Sequence, residues 1–414
     1  MSTVATANAR LRYLTLDVIR GIAVMGILSV NIVNFSMVQA AYLNPQAYRD
    51  ASIGDLVLWA VNMLLVDGKF RSLFSMLFGA SMLLVMDKAE SAGEWGAWLH
   101  VRRMAVLLVL GLAHAVLIWH GDILALYAIA GFIALLWARS SVSRMIAGAI
   151  IMAIVNTILF GAIAATLVHQ DIAAHAPNAA PEMVRNWNAN VSSVFAIPSD
   201  IARDQAIYGG SWSGIVTYEW SKLWAFFSNS IALMPDTLSL MLVGMAGHRS
   251  GFFTGAWDDR TYRKIAVWGI GVGLAGHGAL VVANLMTGFY VPLVLGGFLA
   301  AMVPFRFAQA LGYAALFVLW SRSNSAAVKR VAAVGRAAFT NYIGTSLVCT
   351  AVFYGWGLGL YGKVTRVEAW LIVPVVWALM LVWSKPWLDR FRYGPLEWFW
   401  RSLARGRPQA MRKG

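Results

Sequence analysis

The sequence is poor in charge and has almost no cysteine. Charged side chains make up 13% of its 414 residues, whereas a soluble domain carries about 25%. The single cysteine, Cys349, excludes an internal disulfide bond and a cysteine-ligated metal cluster. Because 59% of the residues are hydrophobic and 19 are tryptophans, which favour membrane interfaces, the composition predicts an all-α polytopic transmembrane bundle.

Acidic residues are also scarce, with 19 Asp and Glu against 33 Lys and Arg. In a soluble protein such a surplus favours nucleic-acid binding. Here the basic residues stand beside apolar runs, where membrane topology accounts for them, so we predict no nucleic-acid partner. Glycine patterns at Gly271 and Gly357 do not follow a strand, and neither a Walker loop nor an HExxH motif occurs. We therefore exclude a Rossmann site and a transport ATPase and predict no metal site.

Apolar runs separated by polar breaks predict about ten spans. They cover 14–38, 54–86, 103–119, 122–138, 145–168, 216–247, 265–286, 291–320, 337–358 and 367–384. The first run is too long for a signal peptide and contains Asp17 and Arg20, so we expect it to be retained. We predict one transmembrane domain over 1–384 and a basic cytoplasmic tail over 385–414.

The basic residues also predict an orientation. With a cytoplasmic N-terminus, 23 Lys and Arg fall in the inner segments and five in the outer ones, as the positive-inside rule requires. Both termini are then cytoplasmic, and 169–213 is a periplasmic loop or lid. Loops of this length are usually functional or disordered. Three aromatic residues, Trp187, Tyr208 and Trp212, favour a partly ordered lid.

The turn between the third and fourth predicted spans carries the strongest catalytic candidates. It reads WHGDIL and places His120 and Asp122 between two apolar runs. Histidine is suited to act as a general base near neutral pH, and Asp122 would orient the imidazole if the turn folds back. The alternative is a plain polar turn, in which Gly121 provides the bend and Asp122 caps the next helix.

The second predicted span is too long and too polar for one straight helix. Its 33 residues would reach about 50 Å, and Asp67, Gly68, Lys69 and Arg71 interrupt it. We predict a broken or strongly tilted helix that lines a cavity, with Asp67, Lys69 and Arg71 binding substrate. Two half-spans joined by a polar loop are the alternative.

The first span carries a polar stripe. Asp17, Arg20, Asn31 and Asn34 share one helix face, and Asp17 and Arg20 are spaced to form an ion pair. Such a stripe faces protein or water rather than lipid, so we assign Asp17, Arg20 and Asn31 to substrate binding. A structural ion pair with amides that bond neighbouring helices is the alternative. The remaining predicted substrate-binding residues are His114 and Asn341.

In the sixth span, Lys222, Asn229 and Asp236 recur every seven residues. They share a helix face, so we expect the charge of Lys222 to neutralise that of Asp236. This pair would either stabilise the structure or take part in the function. Pro235 should kink the helix beside Asp236. In the eighth span, Arg306 follows Pro304 by two residues, and we expect a break in the helix there.

Five stretches resemble the bacterial YeiB-like membrane protein family. They are LDVIRGIAVMGILSVNI (16–32), KFRSLFSMLFGAS (69–81), GDIL–YA–G (121–131), FTNYIGTSLVCTAVFYGWGLGL (339–360) and RFRYGPLEWFWRSL (390–403). The resemblance covers nearly the whole chain apart from 169–213. The family is grouped with transmembrane acyltransferases such as the heparan-α-glucosaminide N-acetyltransferases, and the D-x-x-R-G opening at Asp17, Arg20 and Gly21 is similar across these groups.

The resemblance implies a ten- or eleven-helix bundle with a central tunnel in the bacterial inner membrane. It implies acyl-CoA as a co-substrate from the cytoplasm, no permanently bound cofactor, and a small-molecule, glycan or lipid-linked acceptor at the far face. Membrane lipid is an expected partner, and the sequence leaves undecided whether the protein forms a homo-oligomer. Relatives carry an essential histidine near the end of the first span, but 31–44 contains none. Either His120 replaces that histidine from another helix or the chemistry is lost.

Two other functions stay open at this point. A transporter or flippase would use the charged residues of the first, second and sixth spans as a gated path. A non-catalytic membrane partner would retain the fold without the site. Acyl-CoA bound at the inner face would favour the enzyme, whereas ion-coupled uptake into vesicles would favour the transporter.

The topology can be tested by cysteine labelling. A cysteine placed within 169–213 should react with a membrane-impermeant thiol reagent added to intact cells, because this segment is predicted to be periplasmic. A cysteine placed after Arg401 should react only once the cells are opened. The reverse labelling pattern would contradict the ten-span topology.

Overall fold

The computed structural model describes residues 2–47 and 51–413, which are mostly helical. The first ten helices are α1 (Ser2–Ser36), α2 (Ala40–Leu43), α3 (Ile53–Leu65), α4 (Lys69–Ser91), α5 (Gly96–Leu117), α6 (Leu124–Ala134), α7 (Val142–Ala174), α8 (Pro181–Val191), α9 (Pro198–Tyr208) and α10 (Trp212–Ser221). The next ten are α11 (Leu223–Ala232), α12 (Met234–Arg249), α13 (Asp259–Met286), α14 (Val291–Gly296), α15 (Val303–Ser321), α16 (Ala326–Arg336), α17 (Ala338–Phe353), α18 (Arg366–Trp370), α19 (Ile372–Arg390) and α20 (Pro395–Arg405). A 3₁₀ turn, Leu135–Trp137, extends α6, and a π-helical segment, Gly297–Ala301, follows α14. This part of the chain has no named β-strand, which confirms the predicted all-α class.

Among the described residues, seven helical stretches are long and apolar enough to cross a membrane. They are Leu14–Ser36, Ile53–Ser91, Gly96–Leu117, Val142–Ala174, Asp259–Met286, Val303–Ser321 and Arg366–Arg390. α11 and α12, bent by 53° to each other, form an eighth if they count as one span. Three shorter apolar helices are Leu124–Trp137, Val291–Ala301 and Ala338–Phe353. These helices are typical of a multi-pass membrane protein, while the ten-span topology, the orientation and the inner-membrane location stay predictions.

The predicted interruption of the second span is present. α3 ends at Leu65 and α4 begins at Lys69. Between them Gly68 has φ +73°, a left-handed conformation that glycine adopts without strain. The two helices together count as one candidate span of 39 residues, Ile53–Ser91, as expected of a broken helix, and the number of times it crosses the membrane stays a prediction.

The predicted lid, 169–213, is ordered as helices. α7 extends to Ala174, and α8, α9 and the start of α10 occupy most of the rest. Trp187 and Tyr208 are buried, and Trp212 Nε1 donates a hydrogen bond to the carbonyl oxygen of Leu117 at 2.9 Å. Two of the aromatic residues therefore pack inside the protein and the third ties this segment to the end of α5, while its periplasmic location stays a prediction.

Basic side chains bond the turns that follow α4, α6 and α12, and we call this end of the bundle the basic end. Hydrogen bonds between separate turns define it: Arg249 Nη2 to Ala138 O at 2.7 Å, Arg322 Nη2 to Gly255 O at 3.0 Å, and Arg405 Nη1 to Glu94 Oε1 at 2.6 Å. The predicted tail, 385–414, contains the last residues of α19 and all of α20. It packs back on the bundle, because Trp400 Nε1 donates to Arg103 O at 2.9 Å.

Glycines let several helices touch through their backbones. A Cβ on Gly244 of α12 would overlap the carbonyl oxygen of Met76 on α4, and a Cβ on Gly79 of α4 would overlap that of Met241. Small residues permit such close approach in lipid, where burial of apolar surface does not drive helices together. The crossing holds α4 and α12, which both carry residues of the site described below.

Gly244→Ala should destabilise the protein by about 1–3 kcal/mol, the usual cost of overpacking, because the added Cβ meets backbone that cannot rotate away. Gly271→Ala is the matched control, since a Cβ at this helical position meets nothing within 4 Å and alanine favours helix. Thermal unfolding in detergent compares the two variants. Equal melting temperatures would contradict the close crossing of α4 and α12.

Candidate functional site

Two cavities lie back to back inside the bundle. The first, of about 500 Å³, lies at the basic end among α1, α4, α5, α17 and α20. The second, of about 520 Å³, lies toward the lid among α5, α6, α9, α10 and α11. Tyr127 of α6 borders both and is buried. We call them the basic cavity and the His120 cavity.

Cations dominate the charged lining of the basic cavity. They are Arg20, Lys88, Arg103, Arg336, Arg392 and Arg401. Its apolar wall includes Phe74, Phe78, Leu107 and Leu124. Guanidinium groups bind phosphate and carboxylate well, so this combination suits an amphiphile with an anionic head. Within residues 2–47 and 51–413, no three His, Cys, Asp or Glu side chains are grouped to hold a metal ion.

Asp17 and Arg20, two of the predicted substrate-binding residues, line the basic cavity. Arg20 Nη1 donates to Asp17 Oδ1 at 3.1 Å, and Arg20 Nη2 donates to Ser81 Oγ at 2.6 Å. The ion pair expected from their spacing is therefore present. The side chain of Arg20 is 23% exposed and that of Asp17 is 19% exposed, so both are accessible to a ligand.

Glu397 of α20 closes the same cavity against α17. Its carboxylate accepts hydrogen bonds from the backbone N–H groups of Phe339, at 2.6 Å, and Thr340, at 3.1 Å, and from Thr340 Oγ1 at 2.7 Å. These N–H groups lie in the first turn of a helix, where they lack partners within the helix. Burial raises the pKa of Glu397 in spite of the bonds. Glu397 thus caps α17 from another helix, which the sequence did not predict.

His120 lies in the second cavity with its side chain 30% exposed. Its Nδ1 is 3.3 Å from Tyr208 Oη and 3.5 Å from Glu219 Oε1. The Tyr208 hydroxyl donates to the same Glu219 oxygen at 2.7 Å. A carboxylate beside Nδ1 favours the proton on that nitrogen and leaves Nε2 to accept one from a substrate. The geometry is that of a general base oriented by an acid.

Tyr208 remains a neutral hydrogen-bond donor in this cluster. Burial, followed by the negative charge of Glu219, raises its pKa. Its ring packs against the rings of Tyr354 and Tyr361, with centroids 5.1 Å and 4.9 Å away. These contacts fix the hydroxyl between His120 and Glu219.

Asp122 does not pair with His120, contrary to the sequence-based expectation. Its Oδ1 lies 2.8 Å from His114 Nδ1, and its Oδ2 accepts the backbone N–H of Ala125 at 2.8 Å. The second bond caps the first turn of α6, as the alternative interpretation predicted for Asp122. The side chains of His114 and Asp122 are 1% and 0% exposed. His114, predicted to bind substrate, therefore joins the end of α5 to the start of α6 and lines neither cavity.

Arg71 reaches the His120 cavity from α4 and is held by a buried carboxylate. Arg71 Nη2 is 2.8 Å from Asp236 Oδ2, and Arg306 of α15 pairs with the other oxygen of Asp236. The side chain of Asp236 is 3% exposed, whereas that of Arg71 is 28% exposed toward the cavity. One carboxylate thus pairs with two cations from two other helices.

The seven-residue spacing predicted that Lys222 pairs with Asp236, and this prediction is wrong. Its ammonium instead lies 5.3 Å from the ring centroid of Tyr218, and Lys222 lines the His120 cavity. The helix is interrupted at Leu233, where α11 and α12 bend by 53°. A helical period does not continue across such a bend, so the two charges no longer share a face. The expected break near Arg306 is also present, because Met302 separates the π-helical segment from α15.

Asp67 and Lys69, predicted to bind substrate beside Arg71, line neither cavity. Asp67 accepts a hydrogen bond from Tyr42 Oη at 2.8 Å, and Lys69 Nζ donates to the carbonyl oxygen of Met63. Both side chains are buried. The interruption after α3 leaves carbonyl groups without helical partners, and Lys69 satisfies one of them. Only Arg71 of this trio is available to a ligand.

Neither predicted asparagine lines a large cavity. Asn31 borders a small pocket between α1 and α17. Asn341 Nδ2 donates to Val334 O and to Ser384 Oγ, both at 3.1 Å. Its Oδ1 accepts from Trp383 Nε1 at 2.8 Å. Asn341 thus joins α16, α17 and α19 and has a structural role.

Three residues of the site were not assigned from the sequence. Glu219 had a signal, since it stands in the aromatic stretch TYEW at 217–220, and an acid beside a span is a functional candidate. Tyr208 was noted only as an aromatic residue of the lid. Tyr127 stands in the GDIL–YA–G stretch at 121–131, but no role was assigned to it, because its importance follows from its position between the cavities.

A family model described as "Protein of unknown function (DUF418)" matches residues 247–407. The chain is 32% identical over 408 residues to the uncharacterized protein YxaH of Bacillus subtilis (strain 168), covering 97% of this chain and 96% of the relative. It is 30% identical over 402 residues to the uncharacterized protein YeiB of Escherichia coli (strain K12), covering 95% and 96%. A third relative, an uncharacterized 39.9 kDa protein of Bacillus acidopullulyticus, is 24% identical over 395 residues, covering 95% and 94%. No solved structure matches the chain.

Asp236→Ala should lower stability by about 3–5 kcal/mol, because it leaves Arg306 buried without its counter-charge. Asp389→Ala is the matched control. It breaks the Lys385–Asp389 pair, whose side chains are 41% and 59% exposed, and exposed pairs contribute little. Thermal unfolding in detergent should show a large decrease for the first variant and almost none for the second. Similar small decreases would show that Asp236 does not hold the two arginines.

Proposed function

The chain belongs to the same protein family as YxaH and YeiB, and we propose that it is a membrane acyltransferase. It moves an acyl group from a donor in the basic cavity to an acceptor in the His120 cavity. The observation that carries the proposal is that Tyr127 borders both cavities. Ligands held at opposite ends of the bundle would meet at this wall. The resemblance of the Asp17–Arg20 motif to transmembrane acyltransferases supports the same reaction class.

The basic cavity suits a donor that combines anionic groups with a hydrocarbon chain. Its arginines would hold phosphate groups through charge-assisted hydrogen bonds, and Phe74, Phe78 and Leu107 would contact the chain. Acyl-CoA has both parts, so we propose it as the co-substrate. In the predicted orientation the basic end faces the cytoplasm, where such thioesters are available.

His120 acts as the general base in this proposal. Its Nε2 takes the proton from the acceptor hydroxyl or amine as that group attacks the thioester carbonyl carbon. A C–O or C–N bond forms, the C–S bond breaks, and the leaving thiolate takes up the proton. Glu219 orients the imidazole through Nδ1 and stabilises the imidazolium.

Arg71 is the proposed stabiliser of the oxyanion that develops on the carbonyl oxygen. One of its nitrogens is anchored to Asp236, at 2.8 Å, and the residue lines the His120 cavity. The remaining N–H groups are then available for a ligand. Lys69, an alternative for the same task, is directed away by its bond to Met63.

A transporter remains the second candidate, because broken helices surround the buried charges. α11 and α12 bend by 53° just before Asp236, and the π-helical segment Gly297–Ala301 precedes Arg306. Interrupted helices of this kind occur at the substrate sites of transporters. The two cavities would then be two ends of one gated path rather than two substrate sites.

The two candidates differ in what His120 does. In an assay of membrane vesicles with labelled acyl-CoA, His120→Ala should lower the transfer of label to membrane or soluble acceptors by roughly 10²–10⁴-fold, the usual contribution of a positioned base. Glu219→Gln should cause a smaller loss, and the double variant should be no worse than His120→Ala, because the two residues act as a unit.

His175→Ala is the matched control for this assay. His175 also pairs with an acid, Asp171, at 3.0 Å, but its side chain is 70% exposed and it lines neither cavity. This variant should retain full transfer. Full transfer by His120→Ala would contradict the assigned base, and substrate uptake without any acylated product would favour the transporter.

A further inference from the structure

One helix separates the His120 cavity from the exterior of the bundle. α11 supplies Leu223, Phe226 and Asn229 to the cavity lining. On its opposite side, Trp224 is 82% exposed and Ile231 is 66% exposed. Tryptophan favours the membrane interface, and isoleucine favours the hydrocarbon core. α11 is therefore a wall one helix thick between the cavity and lipid.

This wall is weakly attached to the rest of the protein. Of the residues of α11, all of which are described, only Ser230 is buried. The side-chain hydrogen bonds found for α11 stay within the helix, from Ser228 to Trp224 O at 3.0 Å and from Ser230 to Phe226 O at 2.8 Å. By contrast α12, the helix that follows, buries most of its residues. Few buried contacts make a segment easy to displace.

Both ends of α11 are interruptions that permit such movement. Lys222 separates α10 from α11, and Leu233 separates α11 from α12, where the 53° bend lies. A segment between two breaks can tilt without disturbing its neighbours, because only the backbone torsions at the breaks must change. Displacing α11 would open the His120 cavity sideways into lipid.

The cations at this opening differ in whether a carboxylate pairs with them. Arg203, also in the cavity, pairs with Asp200 and Asp204, and Arg71 pairs with Asp236. Lys222 lines the cavity next to α11 and, among the described residues, forms no ion pair with a carboxylate. A cation without a counter-ion at the membrane interface favours an anionic lipid head group.

We propose that the acceptor in the acyl transfer is a membrane lipid with a phosphate in its head group. It reaches His120 sideways past α11, with Lys222 binding the phosphate and the hydrocarbon chains remaining in the bilayer. This inference rests on the proposed function and specifies its acceptor. The head group must carry a hydroxyl or amine that can attack the donor carbonyl.

Photo-crosslinking tests the proposal directly. The full chain is placed in nanodiscs of phosphatidylcholine, with p-benzoylphenylalanine at Phe226, on the cavity side of α11, or at Trp224. These positions lie two residues apart, about 200° around the helix, so Trp224 is the lipid-facing control. The probes are labelled phosphatidylglycerol, which carries a phosphate and free hydroxyls, and labelled diacylglycerol with the same chains.

Position 226 should label phosphatidylglycerol about tenfold more than diacylglycerol, and Lys222→Gln should remove most of this preference, as expected for one charged contact. Position 224 should label both lipids equally, with or without Lys222→Gln. Equal labelling of the two lipids at position 226, or no labelling there, would overturn the proposal. Displacement of phosphatidylglycerol by the same concentration of soluble glycerol 1-phosphate would also overturn it, because the ligand would then be a free phosphate ester.

The crosslink does not require acyl transfer, so the two proposals can fail separately. Labelling as expected, combined with no transfer of the acyl label by the unmodified protein, would contradict the acyltransferase but not the lipid site. His120-dependent transfer without labelling at position 226 would contradict the lipid acceptor alone. Unchanged melting temperatures of the Lys222→Gln and p-benzoylphenylalanine variants would show that none of these results comes from misfolding.

Discussion

The requirement that charges inside a membrane protein be neutralised determines the centre of this structure. Asp236 binds Arg71 and Arg306 and so joins α12 to α4 and α15. Taking any of these groups out of water is costly unless a counter-charge is in place. Because the three residues come from three helices, their pairing fixes the relative positions of those helices. It also places one cation, Arg71, at the wall of the His120 cavity.

The same requirement applies to backbone groups where the helices are interrupted. The break after α3 frees carbonyl groups, and polar side chains from other elements satisfy them. Gln309 Nε2 donates to Leu64 O at 2.9 Å, and Tyr313 Oη donates to Leu65 O at 3.0 Å. Irregular backbone at membrane depth survives only with such partners. Side chains of α15 thus stabilise the break after α3.

Two histidines that lie close together in sequence pair with acids but have different roles. His114 and Asp122 are almost fully buried and join α5 to α6. His120 is partly exposed in a cavity, and its acid, Glu219, comes from α10 after the lid. The exposure of the histidine side chain distinguishes the two pairs, since a general base must reach its substrate. Tyr208 of the lid contacts both His120 and Glu219, so the lid contributes to the site itself as well as covering it.

The sequence alone determined the all-α class, the apolar stretches, the interruption near Gly68 and the Asp17–Arg20 pair, because these features depend on composition and on spacing within one helix. It also indicated His120 and Arg71 as candidates, and its resemblance to the YeiB-like family covered nearly the whole chain. Only the tertiary structure decided the partners. Asp122 pairs with His114, Glu219 with His120, and Asp236 with Arg306, whereas Asn341 and Lys69 turn to neighbouring backbone. A helical period predicts which residues share a face of one helix, but it ends at a break such as Leu233, and it cannot tell which other helix that face will meet.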